Sequence, residues 1–452
     1  MAERPVIDLL LAGLAGFGLV AVVATKISRD LFWGVLALIF FLPFERIPTV
    51  ELADFTLKIN HVIGGLLMLF FLLDFLLNRR KLKPNPTVLP VLVLVIALIL
   101  SVLTTTAGIR SVVFLALDLF VILLFLIIPQ LVDSKAKLNR LIRVLLWSTG
   151  IVGLFGLYQF TGDLAGLPSE LTGLDLGFSQ KVFGFPRVQA FSREPLYLGN
   201  FLLLPLGAMF GLIVGKSAKP WLIPLALLTL LTFILTLSRG AFLALGVALI
   251  FLLVFAFRKI VSFRTVFWGA TVVVLALLAF NAIFNRLNLD LKERFLAHAT
   301  IADYREGEST QGRLNAFRKS LDAFEDAPLT GIGLGGYGMY VLNYPADPPK
   351  GGWFIVNNQY LELLAETGVI GLASYLLLVI AIVWRSLVAY LKTKDQFLQA
   401  MLIGLTAALV GTLVQYNFFS TFAIIHIWVM MGLIVAVQSL ALNSKVKMQK
   451  SK

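Results

Sequence analysis

The chain has 452 residues, of which 59% are hydrophobic and 14% are charged, and its mean hydropathy is +0.91. One soluble domain cannot bury that much apolar surface, so the composition excludes a soluble globular protein. The chain has no cysteine and three scattered histidines, which excludes disulfides and thiolate metal sites and argues against a histidine-based metal site. The net charge of +13 is typical of basic loops that orient membrane helices.

Apolar runs recur along the chain and predict an all-α, polytopic integral membrane protein with twelve or thirteen transmembrane helices. A hydrocarbon layer of about 30 Å needs roughly 20 apolar residues per helix, and unpaired backbone amides are not tolerated in lipid. The first run lacks a small-residue cleavage site, so it is expected to be a retained helix. The second and third runs are short, which leaves the count open. The predicted spans are 7–25, 30–44, 61–77, 88–104, 111–132, 141–160, 196–214, 221–237, 241–257, 266–284, 368–390, 398–416 and 421–442.

The basic residues of alternate connections predict how these helices are oriented. By the positive-inside rule, connections rich in lysine and arginine face the cytoplasm. The side on which the N-terminus lies stays open, because it depends on whether the chain has twelve or thirteen spans. The basic segments are 26–29, 79–83, 135–143, 216–219, 258–264, 385–394 and the tail 445–452.

The spans and loops divide the chain into five regions. The last outer loop is the one long segment too polar for lipid, so the chemistry is expected there. The regions are the N-terminal transmembrane helices (1–160), a first outer loop (161–195), central transmembrane helices (196–284), a large outer loop (285–367), and C-terminal transmembrane helices with a cytoplasmic tail (368–452).

Within the large outer loop, an amphipathic helix is predicted over residues 312–326. Apolar residues recur there at helical spacing, and Pro328 ends the pattern. The helix is therefore expected to lie against the membrane or the helix bundle. The predicted apolar face holds Leu314, Phe317, Leu321 and Phe324, and the predicted polar face holds Arg313, Arg318 and Lys319.

Gly331, Gly333 and Gly336 follow that helix and form a literal G-x-G-x-x-G. No parallel-strand unit surrounds these glycines, so the pattern is a weak indication of a nucleotide site. A flexible turn is expected instead.

Arginines on the predicted outer side are the main functional candidates, because charge near hydrocarbon is expensive, at roughly 2.5 to 3.5 kcal/mol on insertion scales. Arg239 lies at the membrane edge between two apolar runs, and Arg313 has no acid four residues later on its helix. Arg187 and the adjacent Arg193 and Glu194 lie just before a span. The alternatives are a snorkelling interfacial arginine, a solvated helix face and a structural salt bridge, respectively.

Two or more of these arginines converging at a membrane surface would suit a diphosphate. Guanidinium binds phosphate oxygens in a planar, bidentate way and stays charged at low dielectric constant. It would also stabilise the negative charge that develops on a phosphate leaving group. A lipid diphosphate is therefore the favoured ligand.

Four short motifs follow one another between residues 196 and 390. The sequence NNQYLELLAETGVIG, which begins at Asn357, places Asn358, Gly368 and Gly371 at the spacing of the signature H-[NSQ]-x9-G-x2-[GTY]. Before it come the turn SRG at residue 238, GR at residue 312 and P-x-x-GIGLG at residue 328. In order and spacing, these motifs resemble the O-antigen ligase and O-antigen polymerase superfamily of bacterial membrane glycosyltransferases.

The resemblance implies a metal-independent enzyme that uses no cofactor and inverts the anomeric carbon. It would move a glycan from a polyprenyl (undecaprenyl) diphosphate carrier to an acceptor hydroxyl on the outer face of the bacterial cytoplasmic membrane, as in lipopolysaccharide biosynthesis. The implied partners are the lipid-linked donor, a lipid or glycan acceptor and membrane lipids, and no nucleic acid. Ligase or polymerase action, the sugars and the oligomeric state stay open.

Carried over residue by residue, the resemblance assigns diphosphate binding to Arg239 and Arg313, and the general base to position 357. The family histidine is Asn357 here, and an amide cannot take up a proton. Either Glu194 or Glu366 is the base, or Asn357 merely orients the acceptor, or the protein is a poor or inactive catalyst. We favour another base, because a Glu-Pro pair ahead of a span also resembles exopolysaccharide polymerases of this superfamily. The predicted catalytic residues are Arg239, Arg313, Asn357 and Glu194, and the predicted substrate-binding residues are Arg187, Arg193, Asn358, Tyr360 and Glu366.

Two other functions remain open at this stage: a lipid-glycan transporter or flippase, and an inactive scaffold of a polysaccharide export system. A transporter predicts paired charges and broken helices near the membrane midplane. In this sequence the unusual residues concentrate at one face instead. The inactive scaffold remains an alternative, because Asn357 stands where the family has its histidine.

Overall fold

A computed structural model of the chain describes residues 18, 21–46, 49–52, 55–175, 177, 181–182, 184–260, 308–345, 349 and 352–449. Most of these residues are helical, which confirms the predicted all-α class. The predicted span 266–284 and most of the span 7–25 lie outside the described residues.

A helical stretch at 21–29 precedes the labelled elements. The strands form one antiparallel hairpin in which Thr49 pairs with Lys58. In chain order the elements are α1 (Phe32–Phe41), β1 (Thr49–Leu52), β2 (Phe55–Lys58), α2 (Ile59–Leu76), α3 (Val88–Leu103), α4 (Ile109–Leu131), α5 (Lys135–Leu164), α6 (Ser169–Thr172), α7 (Pro195–Val214), α8 (Leu222–Leu235), α9 (Arg239–Ile260), α10 (Glu308–Asp326), α11 (Tyr337–Val341), α12 (Gln359–Lys392), α13 (Gln396–Gln415) and α14 (Ile425–Gln449).

Among the described residues, seven helices are long and apolar enough to cross a membrane: α2, α4, α5, α7, α12, α13 and α14. Four shorter apolar helices accompany them, namely α1, α3, α8 and α9. These eleven helices coincide with eleven of the predicted spans. The chain is therefore a multi-pass membrane protein.

Contacts gather several of the basic connections at one end of the bundle, which we call the basic end. The ammonium of Lys26 and the guanidinium of Arg140 lie over the Trp33 ring, at 5.5 and 4.5 Å from its centre. The ammonium of Lys135 pairs with Asp395 at 2.5 Å, which joins the start of α5 to the start of α13. The opposite helix ends, with the β-hairpin, α10 and α11, form what we call the loop end.

Helix α12 is broken at Gly368, where φ is 63° and ψ is −169°. The connection between α10 and α11 packs against this break and forms hydrogen bonds with its backbone. The Val369 N–H donates to the Pro328 carbonyl at 2.9 Å, and the Gly333 N–H donates to the Glu366 carbonyl at 3.0 Å. A Cβ at residue 368 would overlap the Leu329 backbone. The break therefore needs a glycine both for its positive φ and for this close approach.

The G-x-G-x-x-G segment is a packed connection, so the expectation of a flexible turn was wrong. Residues 331–336 are all buried. Gly331 lies against the Glu366 backbone and Gly333 against Thr105, so closely that a Cβ at either glycine would clash. Both glycines have positive φ. They serve close packing between α3 and α12 rather than mobility.

The amphipathic helix is confirmed as α10, although its buried face differs from the predicted one. Ser320 and Ala323 are buried, whereas Leu314 and Leu321 are 47% and 44% exposed. Ala323 clusters with residues of the α10–α11 connection and of α12. Small side chains allow α10 to approach α12 closely, so the leucines face outward. Arg313, placed on the polar face by the sequence pattern, is half-buried.

Replacing Gly368 with alanine should lower the free energy of unfolding by about 2 kcal/mol or more, because the new methyl group meets the Leu329 backbone in a left-handed conformation. The matched control is Gly246→Ala in α9, where a Cβ would meet nothing within 4 Å. Thermal unfolding of the detergent-solubilised variants, followed by circular dichroism, checks this. Equal midpoints for the two variants would show that the break does not depend on glycine.

Candidate active site

At the loop end, a partly buried segment at residues 186–194, which we call the strap, carries three of the predicted site residues. The Val188 N–H donates to the Leu235 carbonyl at the end of α8, at 3.0 Å. The N–H groups of Glu45 and Arg46 both donate to the Phe191 carbonyl at 3.1 Å. The strap is thus held on one side by α8 and on the other by the segment that leads into the β-hairpin.

Arg187, Glu194 and Arg239 form one electrostatic cluster at this strap. Nε of Arg187 donates to the Thr236 carbonyl at 3.2 Å, which ties the strap to the turn that contains Arg239. Burial lowers the pKa of Arg187, Glu194 opposes that shift and Arg239 adds to it. Arg239 itself is exposed at the first residue of α9. The structure therefore brings together residues that are about 50 positions apart in the sequence.

Glu194 is half-buried beside two arginines. Burial raises the pKa of this carboxyl above its ordinary value, although Arg193 and Arg187 act in the opposite direction. A carboxylate whose pKa is raised takes up a proton more readily than an ordinary glutamate does, which suits it to proton transfer.

A cavity of about 220 Å³ adjoins this cluster at Arg193, and Glu45, Lys58 and Tyr197 are among its other lining residues. Nζ of Lys58 lies 3.5 Å from Oε1 of Glu45, and the Arg193 N–H donates to Oε2 of Glu45 at 3.3 Å. Burial would raise the pKa of Glu45, but these partners hold it below the ordinary glutamate value. Glu45 is therefore the fixed negative charge of the cavity.

The connection between α13 and α14 links the Arg239 turn to Asn357. A Cβ at Gly240 would lie 2.8 Å from the Phe418 ring, so only glycine allows that contact. Two residues further on, Oγ of Ser420 accepts from the Asn357 N–H at 3.1 Å and donates to Oε2 of Glu362 at 2.5 Å. The residue at the family's histidine position and the Arg239 turn therefore both contact the connection between α13 and α14.

Asn358 and Tyr360 both have structural partners at the start of α12. Oδ1 of Asn358 accepts from the N–H groups of Tyr360 and Leu361, at 3.0 and 3.1 Å, which caps the helix. The Tyr360 hydroxyl donates to the Leu413 carbonyl at 2.6 Å. Their predicted contact with substrate stays a prediction.

Glu366 is buried, and its hydrogen bonds go to residues outside the cluster of Arg187, Glu194 and Arg239. Its Oε1 accepts from the Tyr337 N–H at 3.1 Å, and its carbonyl accepts from the Ser101 hydroxyl at 2.6 Å. Burial raises the pKa of Tyr337 to about 12, so its phenol stays protonated, and it donates to the Ala316 carbonyl at 2.9 Å. This chain of contacts leads to α10, on which Arg313 lies one turn before Ala316.

Arg110, at the start of α4, is a further candidate that was not predicted from the sequence. Its Nε donates to the Gly335 carbonyl at 2.8 Å, and its guanidinium lies 4.8 Å from the ring centres of both Phe114 and Trp353. The same argument that selected Arg239, an arginine on the predicted outer side, applies to Arg110 and could have found it.

Glu362 and Glu45 were also missed. Glu362 is one helical turn before Glu366, and this pair of acids at the start of an apolar helix was a signal of a polar helix end. Oε2 of Glu362 accepts from the Val356 N–H at 3.2 Å and from the Ser420 hydroxyl. Glu45 gave no comparable signal, because it stands alone between an apolar run and a short hairpin.

Comparison with curated proteins returns no match. A family model described as O-antigen ligase matches residues 224–376. The matched segment includes Arg239, Arg313, Asn357 and Glu366, whereas the strap at 186–194 and Glu45 lie outside it. This match confirms that the multi-pass membrane protein resembles the O-antigen ligase superfamily of glycosyltransferase-type enzymes.

Proposed function

We propose that this protein transfers a glycan from a polyprenyl diphosphate carrier to an acceptor hydroxyl at the outer face of the bacterial cytoplasmic membrane. The observation that carries the proposal is the cluster of Arg187, Glu194 and Arg239 at the loop end, since Arg239 also lies within the matched O-antigen ligase segment. The positive-inside rule supports this orientation, because it puts the basic end in the cytoplasm and the loop end outside.

In the proposed mechanism, Arg239 binds the donor diphosphate and Arg187 and Arg313 assist it. Arg239 is exposed and so accessible to a lipid headgroup, while Arg187 is held beside it by Thr236. Guanidinium groups fixed in advance stabilise the charge that builds up on the departing diphosphate. These arginines supply the positive charge in a metal-independent transfer.

The proposed general base is Glu194. It takes the proton of the acceptor hydroxyl, whose oxygen attacks the anomeric carbon while the bond from that carbon to the diphosphate oxygen breaks. The electron pair of that bond leaves with the diphosphate, and the anomeric carbon is inverted. Glu366 is less suited to this role, because its buried carboxyl group already accepts the Tyr337 N–H.

Asn357 is proposed to orient the acceptor. Its backbone is fixed by Ser420 in a left-handed conformation with φ of 58°, and its side chain is half-buried. The amide can donate to and accept from a sugar hydroxyl without exchanging a proton. Glu362 holds Ser420 in place, because its Oε2 accepts a hydrogen bond from the Ser420 hydroxyl.

The direct test uses the purified protein in detergent with a polyprenyl diphosphate-linked oligosaccharide, alone and with a lipid acceptor. A ladder of products from the donor alone would identify a polymerase, and a single shift of the acceptor would identify a ligase. Donor binding without any product would contradict the enzyme proposal. It would favour the inactive scaffold or a flippase, and flipping is measured across a vesicle membrane.

Replacing Arg239 with alanine should lower the transfer rate by about 10² to 10³, the usual effect of removing one donor to a developing negative charge. The matched control is Arg318→Ala, which removes an exposed arginine of α10. Initial rates of product formation check this, with thermal unfolding midpoints to show that both variants fold. Equal rates for the two variants would remove Arg239 from the mechanism.

Replacing Glu194 with glutamine should abolish most of the transfer and also change its pH profile. Because the carboxylate is the active form, the wild-type rate should rise with pH through a pKa above 4.5, the ordinary value for glutamate. The variant should lack that rise. Glu170→Gln, an exposed acid before the same strap, is the control. A full pH-dependent rise in the Glu194 variant would assign the base to another residue.

A further inference from the structure

A groove between α5 and α8 near the basic end has one charged half and one apolar half. The charged half is a cavity of about 510 Å³ and the apolar half a cavity of about 400 Å³. The two adjoin, because Arg143, Leu146 and Trp221 line both. We call the two cavities together the α5–α8 groove.

The charged half is lined by Lys135, Arg143 and Lys219, with hydroxyl and amide groups between them. All of its lining residues lie in the described part of the chain, and none of them is acidic. Nζ of Lys135 pairs with Asp395 at 2.5 Å, so Arg143 and Lys219 provide the charge available to a ligand. This half therefore suits an anion.

The apolar half is lined by Trp147, Trp221 and Leu225. Trp147 is 75% exposed and Trp221 is 47% exposed. Tryptophans concentrate where a membrane meets water, since the ring is apolar and its N–H is polar. A free inorganic anion would leave both rings uncovered, so the ligand needs an apolar part as well as a negative charge.

We infer that the α5–α8 groove binds an anionic phospholipid, with the headgroup phosphate against Arg143 and Lys219 and an acyl chain between Trp147 and Trp221. Arg143 lies where the two cavities meet, so its aliphatic stem can follow the chain while its guanidinium binds the phosphate. Basic pockets between helices on the cytoplasmic side are suited to such headgroups.

Such a lipid would tie together two helices that also hold the strap of the candidate active site. Nε2 of Gln159 on α5 lies 3.5 Å from the Ala190 carbonyl, and the Val188 N–H donates to the last residue of α8. Lipid binding at the basic end should therefore stabilise the whole protein. This inference does not depend on the proposed glycan transfer.

The test uses the full-length protein in detergent, with phosphatidylglycerol, phosphatidylcholine or glycerol phosphate added. Lipid retention is read by native mass spectrometry and stability by the thermal unfolding midpoint. Phosphatidylglycerol should be retained and should raise the midpoint, and the other two should do neither. Equal effects of phosphatidylcholine, or full stabilisation by glycerol phosphate alone, would overturn the site.

The charge arm compares R143Q/K219Q with K392Q/K394Q, which removes two charges at the same end from residues that do not border the groove. Each basic residue near a membrane surface strengthens the binding of an anionic lipid roughly fivefold, so the first pair should weaken phosphatidylglycerol retention about 30-fold. The second pair should keep it. Equal retention in the two double variants would overturn the proposal.

Trp147→Ala tests the apolar half, and its side chain is exposed enough that folding should survive its loss. This variant should lose phosphatidylglycerol retention while its midpoint without lipid stays near that of the wild type. Unchanged retention would show that no chain lies between the two tryptophans.

Discussion

The loop end depends on one backbone interaction, the passage of residues 328–336 through the break in α12 at Gly368. Backbone groups that are buried without a hydrogen-bond partner are costly, so the buried break in α12 needs partners from another segment. The Val369 N–H donates to the Pro328 carbonyl, and the Glu366 carbonyl accepts from the Gly333 N–H. These bonds join the connection between α10 and α11 to the two halves of α12. The P-x-x-GIGLG motif at residue 328 and Gly368 of the motif that begins at Asn357 are therefore the two sides of one backbone contact.

A second constraint is the cost of holding arginines close to hydrocarbon. Arg187 and Arg110 offset this cost by donating hydrogen bonds to the main-chain carbonyls of Thr236 and Gly335, respectively. Arg110 is also covered by two aromatic rings, which favour a cation over their faces. Arg239 is exposed instead. The difference suits the proposed roles, since a group that binds a headgroup has to be accessible and its neighbours have to be rigid.

The helices could be predicted from the sequence because a hydrocarbon layer imposes a length on every apolar run. The helical spacing and Pro328 also predicted α10. Its buried face could not be predicted, because hydrophobicity ranks Leu314 and Leu321 above Ala323, whereas packing against α12 selects the small residue. The break at Gly368 was equally hidden, since a glycine in an apolar run is common in membrane helices. The cluster of Arg187 with Arg239 could not be predicted either, because the strap that brings them together is held by contacts between residues distant in sequence.

The matched segment and the strap contribute different parts of the proposed chemistry. Residues 224–376 bring Arg239, Arg313 and Asn357, which suit binding of the diphosphate and the acceptor. The strap brings Glu194, the acid that can accept a proton where Asn357 cannot. A diphosphate is a stable leaving group, so the base needs only to remove a hydroxyl proton as the new bond forms, and a carboxyl with a raised pKa suffices. Under the proposed mechanism, the base therefore lies on another element of the same loop end than Asn357, and the arginines keep the proposed role of binding the diphosphate.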